Sequence, residues 1–255
     1  MNYAGFRCVL ASICLVLFGH AAIPATAGAD EFDMDEDQGY PMELVRRPLV
    51  LRSGMAEFRA GGMSDFVAAS SVKSDAILTR LDAIYSPFTR GQIGLETVMR
   101  VTDGFQVNDA AGWAEYNVHP TMSLRFGGYV MIPNQGDSIF GVRVAAPMKW
   151  RAGKAAVTAM PRWGMELNGA GLQYADLPLG LEYQIMPQLA TFITSGLFII
   201  DWKFESATMG MPLSAGLVIH PTARFDIAAE FTILDVTDSG GRDSRWLGAW
   251  VALRR

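Results

Sequence analysis

Cysteine is almost missing from this chain: of its 255 residues only Cys8 and Cys14 carry a thiol, and both lie close to the N-terminus. The body of the chain therefore has no disulfide framework, no thiolate ligand for a soft metal and no cysteine nucleophile. Histidine is as scarce. Beyond His20 only His119 and His220 remain, and both precede proline, a pattern that reads as turn chemistry rather than as a catalytic pair or a metal cluster. No Gly-rich phosphate loop or basic patch points to nucleotides or nucleic acid. Long apolar runs are absent too. Half of the residues are hydrophobic, yet no stretch beyond the N-terminus reaches the roughly 18 to 20 residues of a membrane-spanning helix. One large β domain or two small ones remain.

Residues 1–29 read as a cleaved secretory signal: Arg7 gives the positive start, Cys8 to Phe18 the apolar core, and Ala27-Gly28-Ala29 a small-x-small cleavage site before Asp30. The next stretch, residues 30–48, opens with Asp30, Glu31, Asp33, Asp35, Glu36 and Asp37 and no base among them. Such a run repels itself, so the segment is expected to be disordered, serving as a spacer or as a docking tail for a basic periplasmic partner. The chain carries a formal net charge of −5, to which this acidic run contributes most; the remainder is close to neutral.

From Leu177 the alternation is plain. Leu177, Leu179, Leu181, Tyr183 and Ile185 are large and apolar, while Asp176, Gly180, Glu182 and Gln184 fill the places between. A period of two marks a strand with one oily and one polar face. A second run, Leu189 to Ile200, follows the break at Met186-Pro187-Gln188, giving a hairpin. The same unit recurs. Turns at Ser86-Pro87, His119-Pro120, Met186-Pro187 and His220-Pro221 place their prolines 33, 67 and 34 residues apart, and 67 is close to two periods. A further turn is expected near residue 153, at Trp150-Arg151-Ala152-Gly153-Lys154.

A repeat of this length holds two strands, a tight turn and a loop, and strands of roughly 9 to 11 residues cross a bilayer when tilted. Longer polar connections are expected at 61–74, 103–109, 133–138, 166–175, 202–208 and 236–244. With a first strand from Leu49 to Ala60 and a last from Trp246 to Leu253, the count is twelve strands, a closed antiparallel up-and-down transmembrane β-barrel over residues 49–255. The faces agree with a bilayer. Ile93, Leu95, Met99 and Val101 oppose Gly94, Glu96 and Arg100; Phe225, Ile227, Phe231 and Ile233 oppose Arg224, Asp226 and Glu230. A soluble sandwich or a lipocalin-like cup would turn the oily face inward instead, but aromatics gather near strand ends (Tyr85, Tyr116, Trp150, Trp163, Tyr183, Trp202), where interfacial belts lie. Pro161 falls inside an expected strand and predicts a bulge or an early end, while Pro147, Pro178 and Pro212 sit near strand ends. Leu189 to Ile200 is apolar on both faces, which leaves its orientation open and makes the lumen beside it oily.

The pattern over residues 49–253 resembles Gram-negative bacterial outer-membrane β-barrel proteins. The last strand, Trp246-Leu247-Gly248-Ala249-Trp250-Val251-Ala252-Leu253, is similar to the C-terminal signal of that class, but it ends on leucine and is followed by Arg254 and Arg255. The resemblance implies residence in the outer membrane, with outer-membrane lipid and the insertion machinery as partners.

Alternation places Glu57, Arg59, Arg80, Asp82, Glu96, Arg100, Glu115, Arg125, Arg143, Arg162, Glu182, Arg224, Asp226 and Glu230 on the lumen side. They would either neutralise one another in a packed interior or line a narrow passive pore for small solutes, where facing arginine and carboxylate arrays set selectivity. Gly94, Gly127, Gly141, Gly180 and Gly216 on the same side leave room for water or permit bending. The alternative function is a non-conducting structural or surface-recognition barrel that works through its loops. Neither an enzyme nor a cofactor is expected; Asp235, Asp238 and Asp243 form either a weak hard-cation site or a solvated loop.

Overall fold

The computed structural model describes residues 40–65, 77–101, 105–133, 136–168, 171–200, 208–237 and 245–255. Among them, fifteen strands form one antiparallel sheet. The first seven are β1 (Ala56–Asp65), β2 (Ile77–Phe88), β3 (Gly91–Val101), β4 (Phe105–His119), β5 (Met122–Met131), β6 (Ile139–Ala145) and β7 (Met148–Ala152). The remainder are β8 (Ala155–Ala159), β9 (Arg162–Glu166), β10 (Gln173–Met186), β11 (Leu189–Ile200), β12 (Thr208–Gly210), β13 (Leu213–Thr222), β14 (Phe225–Ile233) and β15 (Arg245–Arg254).

Three of the gaps are proline interruptions within one crossing: Pro147 between β6 and β7, Pro161 between β8 and β9, and Pro212 between β12 and β13. Proline has no N–H for the ladder, so pairing stops and resumes. At Pro161 the neighbouring β10 changes partner, pairing with β9 up to Asp176 and with β8 from Leu179. Pro178 stands at that switch, its carbonyl accepting from Met160 N at 3.0 Å. Counting each interrupted pair once gives twelve crossings. The pairing of β1 with β15, from Glu57↔Arg254 to Asp65↔Trp246, closes the barrel and removes the sheet edges.

Two-residue turns lie at 89–90, 120–121, 153–154, 187–188 and 223–224, all at one end of the barrel. The turn at 153–154 is the one that the proline spacing implies, and there Gly153 takes a φ of 58° in place of a proline bend. The other end carries the longer connections. Three of these are shorter than the sequence suggests: β1 continues to Asp65, β10 begins at Gln173, and β4 begins at Phe105, so most of the expected 103–109 loop belongs to the strand.

Outward and inward faces separate by parity on most strands, with Met99 and Ile199 as buried exceptions on the outward parity. On β15, Leu247, Val251 and Leu253 are exposed while Gly248, Ala252 and Arg254 are buried. Phe58, Leu81, Leu95, Phe126, Phe140, Leu181, Ile193 and Leu217 continue the exposed apolar band around the barrel. Water would penalise so continuous an apolar band; hydrocarbon does not, and closure leaves the sheet no free edge inside it. Ile193 also settles the orientation of β11: it points outward at 50 % exposure, whereas Ala190 on the opposite parity is fully buried.

Candidate functional site

The chain N-terminal to the barrel corrects the sequence reading. Residues 40–48 are expected to be disordered and the first strand to begin at Leu49, but β1 begins at Ala56 and residues 40–55 fold into the lumen at the tight-turn end. Residues 30–39 lie outside the described residues. The inserted strap holds a short 3-10 helix, Leu44–Arg46, and buries Val45, Arg47, Val50 and Leu51. No periodic pattern announced it, because it is neither helix nor strand over most of its length.

Polar contacts fix the strap on several sides of the wall. Arg47 donates bidentately to Asp226, Nη1 to Oδ2 at 2.6 Å and Nη2 to Oδ1 at 2.9 Å. It also bonds back to the Pro41 and Met42 carbonyls. From β7, Lys149 Nζ donates to the Leu44 carbonyl at 2.9 Å and Arg151 Nη2 to the Arg47 carbonyl at 2.7 Å. On β3, Gln92 accepts from Leu51 N at 3.0 Å and donates to Glu115 at 3.2 Å. These strands stand far apart around the barrel, so the strap crosses the bore.

Behind Arg47 the ion pairs continue. Arg254 joins Asp226 at 2.6 Å and Glu57 at 2.5 Å, and Arg59 meets Glu57 at 2.7 Å. The Tyr40 ring lies 5.5 Å from the Arg254 guanidinium carbon and 5.9 Å from that of Arg47. Desolvation raises the Tyr40 phenol above its ordinary pKa, with Arg254 and Arg47 opposing. His220, fully buried, contacts Asp226 Oδ1 through Nδ1 at 2.7 Å. This departs from the turn reading of its His-Pro-Thr motif: His119 does bond Thr121 across its turn at 2.9 Å, but His220 belongs to the buried network. Arg254, which follows the strand that resembles a terminal signal, is its hub.

The other inward charges pair along the wall. Arg125 meets Glu115 at 2.6 Å and stacks on Trp113 with its guanidinium carbon 3.9 Å from the ring centroid. Lys149 meets Glu182 at 2.9 Å. Towards the loop end, Arg80 bridges Asp82 at 2.9 Å and Glu96 at 3.1 Å, Glu96 also binds Arg143, and Arg162 binds Asp176. Arg100 and Glu230 pair with no described residue. Arg224 is displaced from its expected place on the wall: it sits in the turn between β13 and β14 and is exposed. On sequence alone Asp176 falls on the polar face of its strand, but Lys149, Arg151 and Arg254 stay out of the lumen charges, although parity from Met148 and Leu253 assigns each of those three inward. Of the acidic loop residues, Asp235 accepts from Met211 N and Thr237 N; Asp238 and Asp243 lie outside the described residues.

Inward glycines do something the sequence does not announce. Gly94, Gly141, Gly164, Gly210 and Gly216 pair directly with Trp113, Tyr129, Tyr174, Phe198 and Phe192. In each pair a Cβ on the glycine would fall 2.1–2.5 Å from the partner's ring. The ring lies over the bare glycine backbone, so the space that those glycines leave is filled by an aromatic flattened on the wall rather than by water. Gly180 serves Thr158 in the same way.

A scan against models of known protein families gives no match, and a search of characterised proteins gives none either. Solved structures do match. The NanC porin is 12 % identical with a TM-score of 0.54, the alignment covering 76 % of this chain and 97 % of that one. An outer-membrane channel from Pseudomonas putida F1 is 14 % identical with a TM-score of 0.51, covering 82 % and 97 %. The KdgM porin is 12 % identical with a TM-score of 0.51, covering 77 % and 98 %. At these identities the likeness is one of fold: this chain has the barrel fold of bacterial outer-membrane porins and channels.

Proposed function

We propose that this protein is a narrow passive channel for small solutes in the bacterial outer membrane, with the strap of residues 40–55 limiting its bore at the periplasmic, tight-turn end. The observation that carries this reading is the exposure of inward arginines. The Arg80 side chain keeps 59 % of its surface and that of Arg59 keeps 45 %, although both point into the barrel. A packed interior would not leave charges so exposed, whereas a wet lumen does. Paired guanidinium and carboxylate groups then line the path. The acidic run of residues 30–37 precedes the strap in sequence, and a basic periplasmic partner that captured it would pull on the strap. In this reading the lipid-facing band meets outer-membrane lipid, and the terminal strand is what the insertion machinery receives.

Single-channel recording in a planar bilayer tests it. The purified protein is expected to give small discrete steps. A variant lacking residues 40–47, in which Asp226 keeps Arg254 and His220, is expected to give clearly larger ones. Silence from both would overturn the channel and favour a non-conducting barrel, the reading that the tightly packed tight-turn end supports.

A further inference from the structure

The loop-end half of the lumen contains a cavity of about 540 Å³, within the range that holds a small organic molecule. Its charges do not balance. Arg80 and Arg143 both bond Glu96, Arg80 also bonds Asp82, and Arg162 holds Asp176. Two further carboxylates on the lining, Asp109 from β4 and Glu166 from β9, form no ion pair with any described residue. Only backbone N–H groups reach them closely, that of Val98 for Asp109 and that of Leu172, at 3.1 Å, for Glu166; Arg80 and Arg143 attract Asp109 at longer range. Glu166 is only 8 % exposed, and a carboxylate so buried with no cation beside it is costly. Aromatic rings stand next to it. Tyr129 pairs with Gly141, over which its ring lies, and Gly141 pairs in turn with Glu166, so ring and carboxylate are neighbours in one row across the sheet. Tyr174 meets Tyr129 edge to face with centroids 6.0 Å apart. Asp109 flanks the ring from the opposite side, paired with Met131 two places along β5.

We infer that this cavity binds a small organic cation with a primary ammonium or guanidinium group, seated between the Glu166 carboxylate and the Tyr129 ring, and is the selective site of the proposed channel. Such a group donates to the carboxylate while its charge rests against the aromatic face, and both contacts strengthen where water is scarce. The ring lies flat over glycine, so it offers that face without narrowing the bore. Asp109 and Glu166 are three strand spacings apart, about 14 Å along the sheet, so a molecule with a cation at each end gains a second contact. Anions are disfavoured, because Arg80 and Arg143 already serve Glu96 and holding an anion would break those pairs. A neutral solute would leave Glu166 uncompensated. A bare metal ion calls for several oxygen ligands converging on one point, and no three acidic or histidine side chains do so among the described residues.

The inference rests on the channel reading for its role in transport but not for binding, so two measurements separate them. Isothermal titration with cadaverine, an aliphatic diamine, on the full-length barrel in a zwitterionic detergent and a phosphate buffer free of other amines, reads the site directly. Saturable binding is expected. Pentanediol and glutarate, the neutral and anionic counterparts of equal chain length, are expected to bind roughly tenfold more weakly or worse. Glu166→Gln is expected to weaken cadaverine binding roughly tenfold, Tyr129→Leu about fivefold and Asp109→Asn about threefold. Retained heat-modifiable migration on a gel certifies the fold of each variant. No saturable cadaverine binding, equal binding of the diol, or binding indifferent to Glu166→Gln or to Tyr129→Leu would overturn the inference. Displacement of cadaverine by calcium at matched ionic strength would overturn it too, by assigning the carboxylates to a metal ion. In the bilayer, cadaverine is expected to interrupt the current. A barrel that binds cadaverine in micelles and never conducts would retain the site and refute the channel; one that conducts and never binds it would keep the channel and lose the site.

Discussion

At the tight-turn end, Arg47, Glu57, Asp226 and Arg254 are each at most 5 % exposed, whereas at the loop end Arg80, on the same inward parity, keeps more than half of its side-chain surface. Both regions are built from arginines and carboxylates projecting from strands of one barrel. The strap makes the difference. It brings a further guanidinium and a row of backbone carbonyls to the tight-turn end, where they satisfy charges that the strands alone would leave in water. Alternation dictates which way a charge points; what stands opposite decides whether it becomes structure or lining.

The comparison breaks most visibly at Asp226, which receives Arg47, Arg254 and His220. Asp226→Ala leaves two guanidinium groups buried without their common anion, and is expected to cost about 3–5 kcal/mol. Unfolding followed by gel migration against temperature in detergent measures it, and a loss below about 1 kcal/mol would mean that this end is as wet as the other. Arg47→Ala should cost less, about 2 kcal/mol, because Asp226 retains Arg254 and His220. Its sharper signature is release of the strap: trypsin should then cut near Arg46 and Arg52 while the barrel stays intact.

Glycine substitutions sharpen the same contrast along the wall. Gly94→Ala places a methyl against the Trp113 ring, which Arg125 covers and which is only 7 % exposed. Gly141→Ala does so against Tyr129, which borders the open cavity and can swing into it. Overpacking of this kind costs typically 1–3 kcal/mol. Gly94→Ala should lie near the upper bound and Gly141→Ala near the lower. Equal losses would show that the cavity gives the tyrosine no more freedom than the packed wall gives Trp113.

The barrel was legible in the sequence because its two determinants are periodic. Alternation of apolar and polar residues specifies faces, and proline turns at regular spacing specify hairpins, so strand number and the turn at 153–154 follow without coordinates. The strap was not legible, since Arg47 has no periodic neighbour and its partner Asp226 is 179 positions away in the sequence. His220 misled for a related reason: its local motif matches that of His119, and only the inserted Arg47 and the facing Asp226 make its surroundings different. The glycine seats lay between. Most of these glycines and aromatics were assignable to a face, Phe192 and Phe198 on the doubly apolar β11 excepted, but their pairing depends on strand register, which small shifts at bulges set, such as the one between Val98 and Met99 on the pairing of β3 with β4.

Arg80→Ala carries the smallest expected loss of stability and for that reason tests the contrast most cleanly. Its own side chain is 59 % exposed while Asp82 and Glu96 keep 11 % and 16 %, and a pair so open on the arginine side is worth about 1 kcal/mol. Glu96 also keeps Arg143. Unfolding should therefore be nearly unchanged, against the loss expected for Arg47→Ala at the other end. Permeation should change instead, because removing one positive charge leaves Asp82 without its nearest cation, and the reversal potential in a salt gradient should shift towards cation preference. Destabilisation as large as that of Arg47→Ala would show that the loop-end charges hold the barrel together, and the distinction between a structural end and a permeable one would be lost.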